Sequence, residues 1–405
     1  MQHAHGADQT GPLKNLRIID FGTMVAGPFV STLLADFGAE VIKVEQPRTG
    51  DPMRAIGPFV GGESLFYNVE NRNKKSVTID LHQPEGQALF RRLCEKVDAV
   101  VENFRPGTLD EWGVGYAALA KINPQLVMLS ISGYGQTGPY SDRAGYDRMA
   151  LAFSGVMHFT GYPDRAPVRP GIPIADYQTA VFGAFSVMMA LYHRDALGGA
   201  GQHIDLALYD SIFRCTEILC SAYDRLGIVR GREGNLHFGA APGDHFETCD
   251  GRYIILTIST DRMFQRLCNA MGMPELAADP RNASHTKRRE HVEELNAIVA
   301  KWIKGNEVAS VCKALEKQGI GHAIILTIAD IFKDPHMQAR ESIATIDHPR
   351  IGPIKVPASV PKMSATPAKP IAAAPALGEH NEEIFRGLLG MSDTEFRALG
   401  AAGVI

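Results

Sequence analysis

Leu16-Arg-Ile-Ile-Asp20, an apolar run from Gly27-Pro28 to Phe37, and Gly38-Ala-Glu-Val-Ile-Lys-Val44 together form the stretch that decides the fold. The first piece is short and β-branched, the second spaces its apolar residues helically, and the third is β-branched again, so the order is strand, helix, strand. Strands joined through a helix run parallel, and a parallel sheet is covered on both faces. Ser76-Val-Thr-Ile-Asp80, Ala99-Val-Val-Glu102 and Leu126-Val-Met-Leu-Ser-Ile-Ser132 continue the series, with helical stretches such as Pro84 to Glu95 between them. The pattern predicts an open α/β sheet of Rossmann type. The turn after the first strand reads Phe21-Gly-Thr-Met-Val-Ala-Gly-Pro28 and lacks the G-x-G-x-x-G fingerprint, which argues against a nicotinamide enzyme.

From about Gly231 the character changes. Phe246 to Ile258 reads as a hairpin turning at Asp250-Gly251, and three helical stretches follow up to Gln318. Beyond Asp330 the chain turns Pro- and Ala-rich and ends in two short helices, after Gly378-Glu-His380 and after Ser392. The expected organisation is a large domain over 14–225, a small α+β domain over 231–325, and a return to the large domain over 330–405.

At 405 residues, 45% hydrophobic and 21% charged, the chain is long enough for two domains. A net charge of −4 offers no general attraction to nucleic acid or to an anionic membrane, so an anion site must be a local pocket. Its six cysteines show no CxxC pair and no zinc spacing, so neither a disulfide framework nor a metal is expected, and they read as reduced thiols of a cytoplasmic protein. Met1 to Leu13, with His3 and His5, reads as a frayed arm.

Pro167-Val-Arg-Pro-Gly-Ile-Pro-Ile-Ala-Asp-Tyr-Gln178 delivers one acid, Asp176, to the start of an apolar segment, Thr179 to His193, that reads as helical. Local sequence favours a helix cap for Asp176, since capping aspartates far outnumber nucleophilic ones. The alternative is a carboxylate nucleophile on a rigid helix start.

Taken in order, Ala26-Gly-Pro28, Gly38 to Glu45, Asn71-Arg-Asn-Lys-Lys-Ser76, Glu102-Asn-Phe-Arg-Pro-Gly107, Gly133-Tyr-Gly-Gln-Thr-Gly-Pro139, Gly145-Tyr-Asp147, Asp334-Pro335 and Leu377-Gly-Glu-His380 resemble the family III CoA transferases along nearly the whole chain. The resemblance implies an interlocked-ring homodimer of Rossmann-like and small domains, with Asp176 at the catalytic aspartate. It also implies an acyl-CoA and a free carboxylic acid as substrates, with no tightly bound cofactor. Gly133 and Tyr134 are implied as oxyanion contacts, and Val25, Lys74, Lys75, Asn103 and Phe104 as CoA contacts.

A carboxylate suits this chemistry, because attack on a thioester gives a mixed anhydride that the released thiolate converts to an enzyme thioester. Arg72 and Arg169 are the candidates for the acceptor's second carboxylate, since a guanidinium binds one bidentately. The motifs are most similar to the succinyl-CoA:dicarboxylate branch. Two alternatives remain: an α-methylacyl-CoA racemase-type isomerase and a non-catalytic CoA-binding protein. Against the first, Tyr146 stands where the racemase motif Gly-His-Asp has its histidine, and a phenol near pKa 10 is a poor proton shuttle.

Overall fold

The computed structural model describes residues 11–405, so His3 and His5 lie outside the described residues. The first unit takes residues up to 156, 169–227 and 339–405, and the second takes 157–168 and 228–338. Segment 157–168 was expected in the large domain. It belongs with the second unit because the Gly234 amide donates to the Gly161 carbonyl and Arg232 donates to the carbonyls of Tyr162 and His158.

The first unit is built on a parallel sheet of six strands: β1 (Arg17–Phe21), β2 (Glu40–Glu45), β3 (Lys74–Thr78), β4 (Ala99–Glu102), β5 (Val127–Ser132) and β6 (His203–Ala207). Their order is β3-β2-β1-β4-β5-β6. The chain steps outward from β1 in one direction and then restarts beside it with β4, so two carboxyl ends splay apart at β1/β4, where such sheets hold ligands. Ile18, Ile19, Val41, Ile42, Val100 and Val101 are almost wholly buried, as covered parallel strands require.

Helix α1 (Ala26–Asp36) follows β1, and α2 (Pro84–Cys94), with Pro84 at its first position, precedes β4. Strand β6 went unread in the sequence. Its residues His203-Ile-Asp-Leu-Ala207 alternate polar and apolar on a half-exposed sheet edge, unlike the buried strands.

Helices α3 (Asp147–Phe153) and α4 (Ile174–Leu197) carry the site. Helix α4 starts five residues before the expected Thr179, because the Asp147 carboxylate accepts from the Ala175 amide at 2.7 Å and so satisfies its first turn. The face with Ala180, Gly183, Val187 and Ala190 is buried. A Cβ at Gly183 would fall 2.8 Å from Val30 and 2.9 Å from Leu129, so glycine lets α4 lie close on α1 and β5.

The C-terminal residues return to the outer strand: the Asp80 amide donates to the Val404 carbonyl, and Ile384 and Phe385 join the core around Ile79 and Leu89. In the second unit β7 (Gly243–Glu247) and β8 (Tyr253–Thr257) form the expected hairpin, with Gly251 at φ +74° in its turn. An unexpected third strand, β9 (His322–Ile324), completes that sheet.

Candidate active site

Buried charge, rather than apolar packing, fixes the turn that follows β1. Lys43 on β2 is fully buried, pairs with Asp51 at 2.9 Å and Asp20 at 3.7 Å, and donates to the Gly22 carbonyl at 3.0 Å. Burial opposes its charge, but Asp20, Asp51 and Glu45 outweigh burial and hold its pKa above the ordinary lysine value. The same acids take the turn's amides: Asp20 accepts from Gly22 and Asp51 from Met24, which sits at φ +63°. Thr23 is tied across the switch point by Asn103, whose side chain accepts from the Thr23 amide at 2.7 Å and donates to its carbonyl at 2.8 Å. Glu102, at the end of β4, accepts from the Phe104 amide at 2.7 Å, and burial pushes its pKa up to about 7.

These turns wall a cavity of about 260 Å³ into which Asp176, Gly133 and Tyr146 also face. Gly133 is required by a close approach, since a Cβ there would lie 2.5 Å from the Cα of Gly145. Asp176 occupies the third position of α4, and among the described residues its carboxylate accepts no capping bond; Asp147 takes the Ala175 amide instead, so of the two local readings the cap is not the one the structure favours. Burial first, and then the neighbouring Asp147 charge, push the half-buried Asp176 carboxyl up to about 7. A second cavity of about 260 Å³ shares Thr23 and Phe104 with the first and is walled by Phe21, Ile79, Leu81 and Trp112, an apolar and aromatic lining that suits a flat base.

Of the residues singled out in the sequence, Asp176, Gly133, Val25, Asn103 and Phe104 meet at one cavity. The lysines do not join them. Lys74 is buried, donating to Asp20, to Asn71 and to the Pro28 and Glu70 carbonyls, and burial lowers its pKa to about 8. Lys75 is paired with Glu40 and Glu383. A CoA phosphate would have to displace these acids, so both phosphate assignments are corrected.

Arg72 is likewise committed. It grips Asp36 through Nη2 at 2.6 Å and Nε at 3.2 Å, and the Pro357 carbonyl at 2.8 Å. Its role as acceptor clamp is replaced by a structural one. Arg169 is exposed, bonded to the Pro170 carbonyl, and off the cavity wall. The Tyr134 ring packs with Phe153 and Tyr140. Sequence reasoning passed over Arg105 and Arg143, which do line the cavity. Arg105 stood inside a quoted motif and Arg143 two residues before another, but with nothing local to separate them from other surface arginines.

A sequence profile described as CoA-transferase family III matches residues 13–381. The chain belongs to CoA-transferase family III. This family III CoA-transferase is 44% identical over 395 residues to the succinyl-CoA–D-citramalate CoA-transferase of Chloroflexus aurantiacus, covering 97% of this chain and 98% of that one. It is 37% identical to the succinate–glutarate CoA-transferase of Agrobacterium fabrum, covering 93% and 96%. Among solved structures, a CAIB/BAIF family protein from Brucella suis matches with a TM-score of 0.83 at 36% identity, covering 94% of this chain and 100% of that one.

Proposed function

We propose that this chain moves CoA from succinyl-CoA, or a similar thioester, to a small dicarboxylate through a thioester on the Asp176 carboxyl. The observation that carries the reading is Asp176 itself, a half-buried carboxyl with no hydrogen-bond or ion-pair partner among the described residues, opening into the cavity at the sheet's switch point. The names of the relatives, which act on citramalate and glutarate, support the substrate class.

In the first half-reaction a carboxylate oxygen of Asp176 attacks the thioester carbonyl and CoA thiolate leaves, giving a mixed anhydride. The thiolate attacks the aspartyl carbonyl, which forms the enzyme thioester and frees the donor acid. An acceptor carboxylate then attacks that thioester, and the thiolate it releases attacks the acceptor's acyl carbon, restoring Asp176. The amides of Gly135 and Gln136 already donate to Ser132 and Asp205, and Gly133 is the residue of this loop that lines the cavity, so we assign backbone stabilisation of the oxyanion to Gly133 with the adjoining Tyr134 amide. The neighbouring aromatic cavity is suited to the nucleotide end of CoA.

Only the ionised Asp176 attacks. With its pKa near 7, acyl-enzyme formation is expected to rise about tenfold from pH 6 toward a plateau above pH 8, measured by rapid quench and mass spectrometry of the Asp176 peptide. A flat profile, or acylation elsewhere, would reject the assignment. Against the isomerase, Tyr146 faces the cavity where a histidine is needed, so 2-methylacyl-CoA in heavy water should gain no deuterium at its α-carbon.

The reading extends to the assembly, which we propose is an interlocked homodimer of Rossmann-like chains in the cytoplasm. Val181, Phe185, Met189 and Tyr192 form an exposed apolar stripe along α4, which a second copy would cover. Phe185→Asp should shift the mass in solution from dimer toward smaller or aggregated species, and an unchanged dimer would remove this face from the interface.

A further inference from the structure

We propose that Arg143, assisted by Arg105, holds the far carboxylate of the diacid while the near one reacts at Asp176; the assignment rests on the CoA-transfer reading above. It replaces Arg72 and Arg169 with residues the structure puts on the cavity wall.

The choice follows from which cations are already spent. Lys43, Lys74, Arg54 and Arg72 are each held by an acid, Asp51, Asp20, Glu45 and Asp36, at 2.9, 2.7, 2.7 and 2.6 Å respectively. A foreign carboxylate would have to break a buried pair to reach any of them, which is costly. Arg105 and Arg143 are different. Both line the cavity that holds Asp176, and neither side chain is joined to an acidic group among the described residues. Arg105 comes from the turn after β4 and Arg143 from the loop before α3.

Arg143 is also oriented. Its guanidinium lies 3.6 Å from the centroid of the Tyr140 ring, and that ring is braced edge-on by Tyr134 and Phe153. Contact with the ring restrains the guanidinium and still leaves N–H groups for a carboxylate, with less side-chain entropy lost on binding. The need for such a group is electrostatic. A diacid brings two charges to a cavity that already holds Asp176 beside Asp147, and without a counter-cation these would repel.

The same clamp serves both half-reactions. A succinyl donor and a diacid acceptor each keep one free carboxylate at the end away from the reacting carbon, so each presents the same charge to Arg143. A monoacid presents none.

The test measures the two half-reactions separately in the full-length protein, for wild type, Arg143→Met, Arg143→Lys and Arg105→Met. Asp176 thioester formation is followed from succinyl-CoA and from butyryl-CoA, and discharge of the preformed thioester by glutarate and by valerate. In Arg143→Met the diacid reactions should slow about thirtyfold, the loss of one charge-assisted contact, while the monoacid reactions stay within about twofold. Arg143→Lys should recover part of the diacid rate, and Arg105→Met should show a smaller loss of the same selectivity. An equal fall for diacids and monoacids in Arg143→Met, or a higher KM for both acyl-CoAs alike, would overturn the proposal and assign the arginine to CoA phosphates. Wild-type protein that forms no Asp176 thioester would instead reject the CoA-transfer reading itself, before the arginines are compared.

Discussion

Asp176→Ala is expected to lower CoA transfer by about 10⁴-fold or more, because the whole of the proposed covalent route passes through that carboxylate. The variant should still fold. Asp176 carries no capping bond, and the first turn of α4 is satisfied by Asp147 instead. Stability supplies an independent check. With the folded pKa raised to about 7 by burial and Asp147, the native state binds more protons than the unfolded chain from about pH 4 to pH 7, so this group's contribution falls as pH rises through that window. The variant lacks this penalty. Its stability relative to wild type should therefore improve by about 2 kcal/mol between pH 5 and pH 8, after discounting for the solvent that reaches a half-buried carboxyl. Thermal unfolding at the two pH values measures this, and a transfer rate within about a hundredfold of wild type would remove Asp176 from the mechanism.

The largest loss of stability is expected at Lys43, a residue that does not line the cavity. Lys43→Met leaves Asp51 without its cation at 2.9 Å and strips the Gly22 carbonyl of its donor, while Asp20 keeps the Lys74 ammonium and the Gly22 amide. An uncompensated buried charge of this kind costs about 3–5 kcal/mol. The loss should reach function through the turn at Gly22-Thr23-Met24, whose amides are held by Asp20, Asn103 and Asp51, so KM for acyl-CoA should rise as the midpoint of chemical denaturation falls. Adding Asp51→Asn should recover part of the stability by removing the orphaned charge. A single variant that costs less than about 1 kcal/mol, or a double variant no better than the single one, would show that the network does not set the turn.

Much of the frame was legible in the chain alone. Strand-helix-strand alternation from Leu16 to Val44, the proline at the start of α2 and the Asp250-Gly251 turn are local signals, set by side chains within a few residues of each other. Strand β6 escaped because an edge strand is half solvated and its composition is mixed. The start of α4 escaped because the group that satisfies it, Asp147, lies 28 positions away. Asp176 was singled out in sequence through the family resemblance, but its raised pKa depends on burial and on Asp147, which only folding supplies.

The cations show the division most sharply. As residues in Asn71-Arg-Asn-Lys-Lys-Ser76, Arg72 and Lys74 are as fit for a carboxylate or a phosphate as any arginine or lysine. Arg72 is spent on Asp36, 36 positions away, and Lys74 on Asp20, 54 positions away. Arg143 has no such partner among the described residues and stands on the cavity wall. A charged group's role is set by which opposite charge the fold leaves beside it, and Coulomb attraction in a buried site decides that only once distant segments are packed together.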